Sequence, residues 1–344
     1  MTRRLLASAL VALPVLLSGC AAGGDAPTWV DDEVTFDAGG LTVHGTYRHV
    51  RGDAKGPAAL LISESGRTDR NGDNNVAGPV GNMGQLAEYL SGRGVASLRY
   101  DKVGTGATGL GPWASRPGEI GSAVYTDGAK AAVRFLAGRP GTDSDRISVY
   151  AVGEGTIHAM SLAGDTSPGA PRIQKLGLLQ PLPSRYLDLI TGRVSADVAT
   201  AVRDGVKTPE QGQQVLGAWQ AAVGQARAQG SVPAELPDGL GAILNPGNVR
   251  AVVEADRIDP LVLAAAVPAG TPVLLTCSDS DAQSDCADIA PLAGALSHTA
   301  LDLVRLGGVN HVLRDDPTDN VAHYARQDPL SPQLTAALDR FTAG

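Results

Sequence analysis

Four short segments hold most of the residues capable of chemistry, and each follows an apolar run. Ala58–Ile62 leads into Ser63-Glu64-Ser65-Gly66-Arg67-Thr68-Asp69-Arg70, a polar and glycine-bearing stretch that continues to Asn75. Leu98-Arg99-Tyr100 leads into Asp101-Lys102-Val103-Gly104-Thr105-Gly106. Pro272–Thr276 leads into Cys277-Ser278-Asp279-Ser280-Asp281, and Ala300–Leu306 into Gly307-Gly308-Val309-Asn310-His311. A fifth junction, Val152-Gly153-Glu154-Gly155, joins the apolar run Ile147–Val152 to a helical pattern over Glu154–Ala163. Carboxylates and a histidine are the residue types of proton transfer. Glycine-bearing loops can aim main-chain N–H groups at a developing anion.

Such segments need a scaffold that brings them together. The apolar runs at 58–62, 95–100, 147–152, 173–179, 272–276 and 300–306 have the continuous character of strands buried on both faces of a parallel sheet. Helical spacing lies between them at Met83–Ser91, Tyr125–Leu136 and Glu154–Ala163, and again at Pro332–Phe341. That alternation predicts an α/β fold with a mostly parallel, doubly wound sheet, in which ligands gather at the carboxyl ends of strands. Alternating residues around Gly39-Gly40 predict an opening hairpin. Between 179 and 272 lie more than ninety residues rich in Ala, Gln and Gly, helical in pattern and without a strand signal. The expected division is residues 33–183 and 271–344 for the core and 184–270 for a helical cap over the sheet's carboxyl edge.

The polar segments carry a resemblance. Ser63–Asn75 and Arg99-Tyr100-Asp101-Lys102-Val103-Gly104-Thr105-Gly106 resemble the bacterial α/β-hydrolase family of secreted esterases and serine-peptidase-like hydrolases. That family carries a Gly-Ser-Gly-x-Thr-Asp-Arg-Asp-Gly-Asn type loop and an Arg-Tyr-Asp-x-x-Gly-x-Gly segment. The resemblance implies an α/β-hydrolase fold, an oxyanion donor near Ser65, and a nucleophile elbow of the form Gly-x-Ser-x-Gly. It implies a triad acid at Asp281, with Asp279 as the alternative, and a triad base at His311. The elbow aligns Gly153 with the nucleophilic serine, so the hydroxyl is missing, and Glu154 follows as the second oxyanion position. Glu64 stands where the family usually has glycine, and a carboxylate there would oppose negative charge developing on an oxyanion.

The amino-terminal residues read as an address. Arg3 and Arg4 precede a thirteen-residue apolar stretch ending in Leu17-Ser18-Gly19-Cys20, which resembles a bacterial lipobox. It implies a signal peptide over 1–19, a lipid on Cys20, a tether over 20–32 and an extracytoplasmic protein anchored to the cell membrane. Cys277 and Cys286 are then a pair, and outside the cytoplasm a disulfide is expected. The formal charge of −8 argues against nucleic-acid binding through bulk positive charge. No Walker-type loop, complete dinucleotide fingerprint or Cys-x-x-Cys pattern is present, so neither metal nor cofactor is expected. Three readings follow: an esterase-like pseudoenzyme that binds an acyl, lipid or peptide ligand; a hydrolase working through His311, Asp281 and water or an unusual nucleophile; or an envelope scaffold.

Overall fold

The computed structural model describes residues 28–52 and 54–344; the lipobox and Cys20 lie outside them. Among the described residues no helix is long and apolar enough to cross a membrane.

An eight-stranded sheet organises the chain. β1 (Trp29–Ala38) and β2 (Leu41–Val50) form the opening hairpin. Their two-residue turn needs positive φ at both positions, which Gly39 and Gly40 supply at 64° and 88°. β3 (Gly56–Ile62), β4 (Ala96–Tyr100), β5 (Thr142–Gly153), β6 (Lys175–Pro181), β7 (Pro272–Ser278) and β8 (Ala300–Leu306) follow, in the spatial order β1-β2-β4-β3-β5-β6-β7-β8. β2 runs antiparallel to both neighbours, and every pairing from β4 to β8 is parallel. Their loops therefore leave from one common edge.

Side-chain alternation splits the core into two layers. Leu60 and Ile62 of β3 join Val149, Leu178 and Leu275 under α2 (Ser122–Ala137) and α3 (Gly155–Ala163). Ala59 and Leu61 face the other way, with Tyr150, Val152 and Leu274, against α1 (Asn82–Ser91) and α9 (Pro332–Ala343).

Four helices lie between β6 and β7: α4 (Tyr186–Arg203), α5 (Pro209–Gln229), α6 (Val249–Arg257) and α7 (Pro260–Ala266). The first three enclose a core of their own around the fully buried Trp219. Its indole N–H donates to Thr191 Oγ1 at 2.9 Å. Arg227 of α5 holds the buried Asp256 carboxylate of α6, which also accepts the Leu187 N–H of α4. α5 starts on a capping box, with Thr208 and Gln211 bonded reciprocally. α7 differs: its Ala264 packs into the main core beside α3, so the separate apolar cluster ends with α6 rather than at residue 270. Glu254 of α6 reaches the main domain, accepting the Ala123 N–H at the start of α2 at 2.7 Å.

Trp219→Ala is expected to cost about 3–5 kcal/mol, as for other large aromatic truncations in cores. Urea unfolding followed by circular dichroism measures it; a loss under about 1 kcal/mol would mean that the three helices do not depend on this core.

Candidate functional site

β5 ends at Gly153, and α3 begins two residues later. Gly153 has φ of 55°, the left-handed region that costs any residue bearing a Cβ. The neighbour across this corner is the side chain of Glu64, in the loop after β3. A Cβ built on Gly153 would fall on Glu64 Oε2. The space into which a side chain at Gly153 would project therefore already holds a carboxylate from a residue 89 positions earlier. Gly155, also on the elbow, is required by close approach: a Cβ there would stand 2.8 Å from the carbonyl oxygens of Ile62 and Ser63.

Glu64 Oε2 lies 2.7 Å from His311 Nε2, and Asp281 Oδ2 lies 2.7 Å from His311 Nδ1. One imidazole thus bridges two carboxylates, and both ring nitrogens must donate to satisfy them, which makes the ring an imidazolium. Burial opposes the charge on His311, but Asp281 and Glu64 outweigh it and carry its pKa well above the usual histidine value. Burial would likewise raise Glu64, yet the His311 charge and hydrogen bond and the Ser65 N–H hold its carboxyl down at about 2.

The supporting contacts come from each strand end. Asp281 is buried and also accepts the N–H groups of Gln283 and Ser284. Asp279, the alternative acid, is exposed and accepts the Gly308 N–H, away from the imidazole. A disulfide joins Cys277 and Cys286, bracketing the Asp281 loop. Asp319 accepts the His311 N–H at 2.9 Å. On the β3 side, Arg70 donates through its backbone N–H and its guanidinium to Asp101, and also to Glu33 and Thr46. That array fastens the loop after β3 to the loop after β4.

The donor expected at Ser65 is already occupied: its N–H donates to Glu64 Oε1 at 2.6 Å. This corrects the simple oxyanion reading of Ser65, because the carboxylate has taken the bond that an oxyanion would use. Glu154 sits beside the elbow, and its carboxyl is pushed upward by burial and by the Glu64 charge, against the pull of Lys102. Thr156 donates to the Gly153 carbonyl at 2.6 Å, inside the first turn of α3, so its hydroxyl does not reach His311.

Sequence reasoning gave no role to Lys102. Its ammonium is buried and donates to the carbonyl oxygen of Glu64. Burial lowers it to about 8, against the attraction of Glu154 and Glu64. The only sequence signal was a lysine directly after the Arg-Tyr-Asp segment. His158, buried on α3 and bonded to Thr126 Oγ1 at 2.9 Å, is held neutral by burial, which takes it to about 3.

A small cavity of about 220 Å³ opens beside this array, between Ser65, Tyr125 and Glu154 of the core and Tyr186, Val252 and Ala255 of the overlying helices. Among the described residues no cluster of three or more His, Cys, Asp or Glu could hold a metal ion.

No protein-family model matches the sequence, and no curated protein resembles it in sequence. Solved structures do resemble it in fold. An esterase from Pyrococcus furiosus superposes with a TM-score of 0.53 at 13% identity, covering 92% of this chain and 91% of its own. DcsB, solved with its substrate analogue, gives 0.57 at 15%, covering 91% and 98%. Est1E of Butyrivibrio proteoclasticus, solved with ferulic acid bound, gives 0.53 at 16%, covering 85% and 96%. With the strand order and the flanking helices, these place the chain in the α/β-hydrolase fold.

The charge array sets the pH dependence of stability. Glu64, lowered in the folded state, stabilises above its ordinary 4.5, and the gain disappears as pH falls toward about 2. His311, raised in the folded state, stabilises below its ordinary 6.5, and that gain disappears as pH climbs through the raised value. Stability is therefore expected to be greatest between about 4.5 and 6.5, with an acid limb on the order of 3 kcal/mol deep at about 1.4 kcal/mol per pKa unit. In Glu64→Gln the acid limb should shrink and the alkaline loss begin at lower pH. Identical profiles for the two proteins in urea titrations would refute the pairing.

Proposed function

We propose that this chain is a lipid-anchored protein of the cell envelope that uses the α/β-hydrolase fold to bind an acyl, lipid or peptide group without serine-type turnover. The observation carrying this reading is the Glu64 carboxylate lying where a nucleophile's side chain would project from Gly153, with His311 Nε2 committed to it. A serine hydrolase needs that nitrogen free to take the hydroxyl proton. Here it carries a proton and holds an anion. Reaction at a carbonyl would build negative charge beside a carboxylate, and the Ser65 N–H that could offset it is engaged.

What the site retains is shape. The cavity of about 220 Å³ under α4 and α6 suits a small group on a larger ligand, of which the remainder would lie outside. The esterases among the structural neighbours are consistent with an ancestral acyl site. Anchoring through Cys20 rests on the Leu-Ser-Gly-Cys motif alone.

Labelling with a fluorophosphonate probe and hydrolysis of p-nitrophenyl acetate test the proposal. The native protein should neither label nor hydrolyse above background. Gly153→Ser should remain poor, because the new side chain must displace Glu64 from its ion pair, and the freed carboxylate would still compete for His311. Gly153→Ser with Glu64→Gly should label and gain roughly 100-fold or more in rate, since an intact triad is worth on the order of 10⁶ in kcat. Native turnover abolished by His311→Ala would overturn the proposal in favour of a working hydrolase.

A further inference from the structure

A cavity larger than the one beside Gly153 lies away from the His311 array. It measures about 720 Å³, inside the range of roughly 300–1,000 Å³ typical of small-molecule sites. It lies between the β1–β2 hairpin, the end of β4 and one face of α2. Phe36, Tyr100, Trp113, Tyr125 and Phe135 all line it. Of the residues described above around Gly153 and His311, Asp101, Lys102 and Tyr125 contribute to its wall.

We propose that this cavity is a second ligand site, for a planar aromatic molecule carrying one anionic group. Three observations converge. The first is that α2 places a glycine, Gly128, in the cavity wall. A glycine inside a helix costs about 1 kcal/mol relative to alanine. Close packing does not require it at this position: a Cβ on Gly128 would meet nothing nearer than Tyr100 Cε2 at 4.0 Å. Its effect is to leave room. The second is the aromatic character of the walls, with Tyr100 among them. Aromatic walls on several sides favour a ring that can stack or meet them edge-on.

The third observation is charge. Lys130 is paired with Asp165, and Asp101 with Arg70. Lys102 is spent on the Glu64 carbonyl. Asp37 accepts the Gly40 N–H at the hairpin turn. Asp37 and Asp127 are anions of the wall without an ion-pair partner among the described residues, and Arg134, two turns from Asp127 on α2, is an exposed cation without one. Arg134 lies at the Phe135 end, and its planar fork binds a carboxylate in two-point fashion. An anion there would also be farthest along the helix from Asp127.

The site is independent of the acyl-site reading, and the experiment separates the two. The probe is 2-naphthoate, titrated into the full chain and followed by calorimetry and tryptophan fluorescence, with methyl 2-naphthoate as the uncharged comparison. Saturable binding at one equivalent is expected. Ala131→Trp, which fills the cavity, should weaken it at least 10-fold while leaving the circular dichroism spectrum unchanged. Val252→Trp, which fills the smaller cavity under α6, should leave it unchanged. Arg134→Gln, at an exposed position, should weaken the acid about 10-fold and the ester by less than twofold. Absence of saturable binding to a folded protein would overturn the proposal, as would loss through Val252→Trp instead of Ala131→Trp. Equal weakening of acid and ester by Arg134→Gln would overturn the anionic part of the assignment.

Discussion

The site is organised by one imidazolium held between two carboxylates. A charge removed from water is expensive unless it is paired and its remaining hydrogen-bond capacity is filled. Here each ring nitrogen of His311 meets a carboxylate oxygen at 2.7 Å, and both carboxylates take further bonds from backbone N–H groups. Two anions around one cation leave an excess negative charge, and the Lys102 ammonium stands against the backbone of Glu64. The result is a cluster in which removal of one member leaves another buried and uncompensated.

The elbow glycine follows from that cluster. An α/β-hydrolase elbow forces its central residue to positive φ, a strain that natural hydrolases tolerate so that the nucleophile can project. Gly153 adopts that φ without the strain, and the volume beside it is occupied from the opposite loop by Glu64. Gly153 and Glu64 are therefore complementary in space. A side chain at 153 and a glutamate at 64 with its present partner exclude each other in space.

Much of the scaffold was legible from sequence because its signals are local. Continuous apolar runs mark the parallel strands, and Gly39-Gly40 marks a turn that only positive φ can close. Asp281 and His311 came from the family resemblance, which itself rests on their places in short loops after buried strands. What could not be read was contact across the chain. Glu64 and Gly153 each stand out as unusual residues, but their overlap, and the bond from Glu64 to a histidine 247 positions away, depend on three loops converging at one sheet edge. Lys102 was hidden for the same reason: a lysine after a strand is ordinarily exposed, and only the packed fold turns its ammonium inward. The aromatic cavity beside α2 gathers side chains from the hairpin, β4 and the helix, with no periodic trace in any one of them.

The protonation state of His311 is the most direct test of this account. Nitrogen-15 NMR of the imidazole distinguishes a ring protonated on both nitrogens from either neutral tautomer. The account requires both nitrogens to carry protons at pH 7 and the ring to titrate well above 6.5. A neutral ring at pH 7, with one nitrogen bare and available as a base, would contradict it.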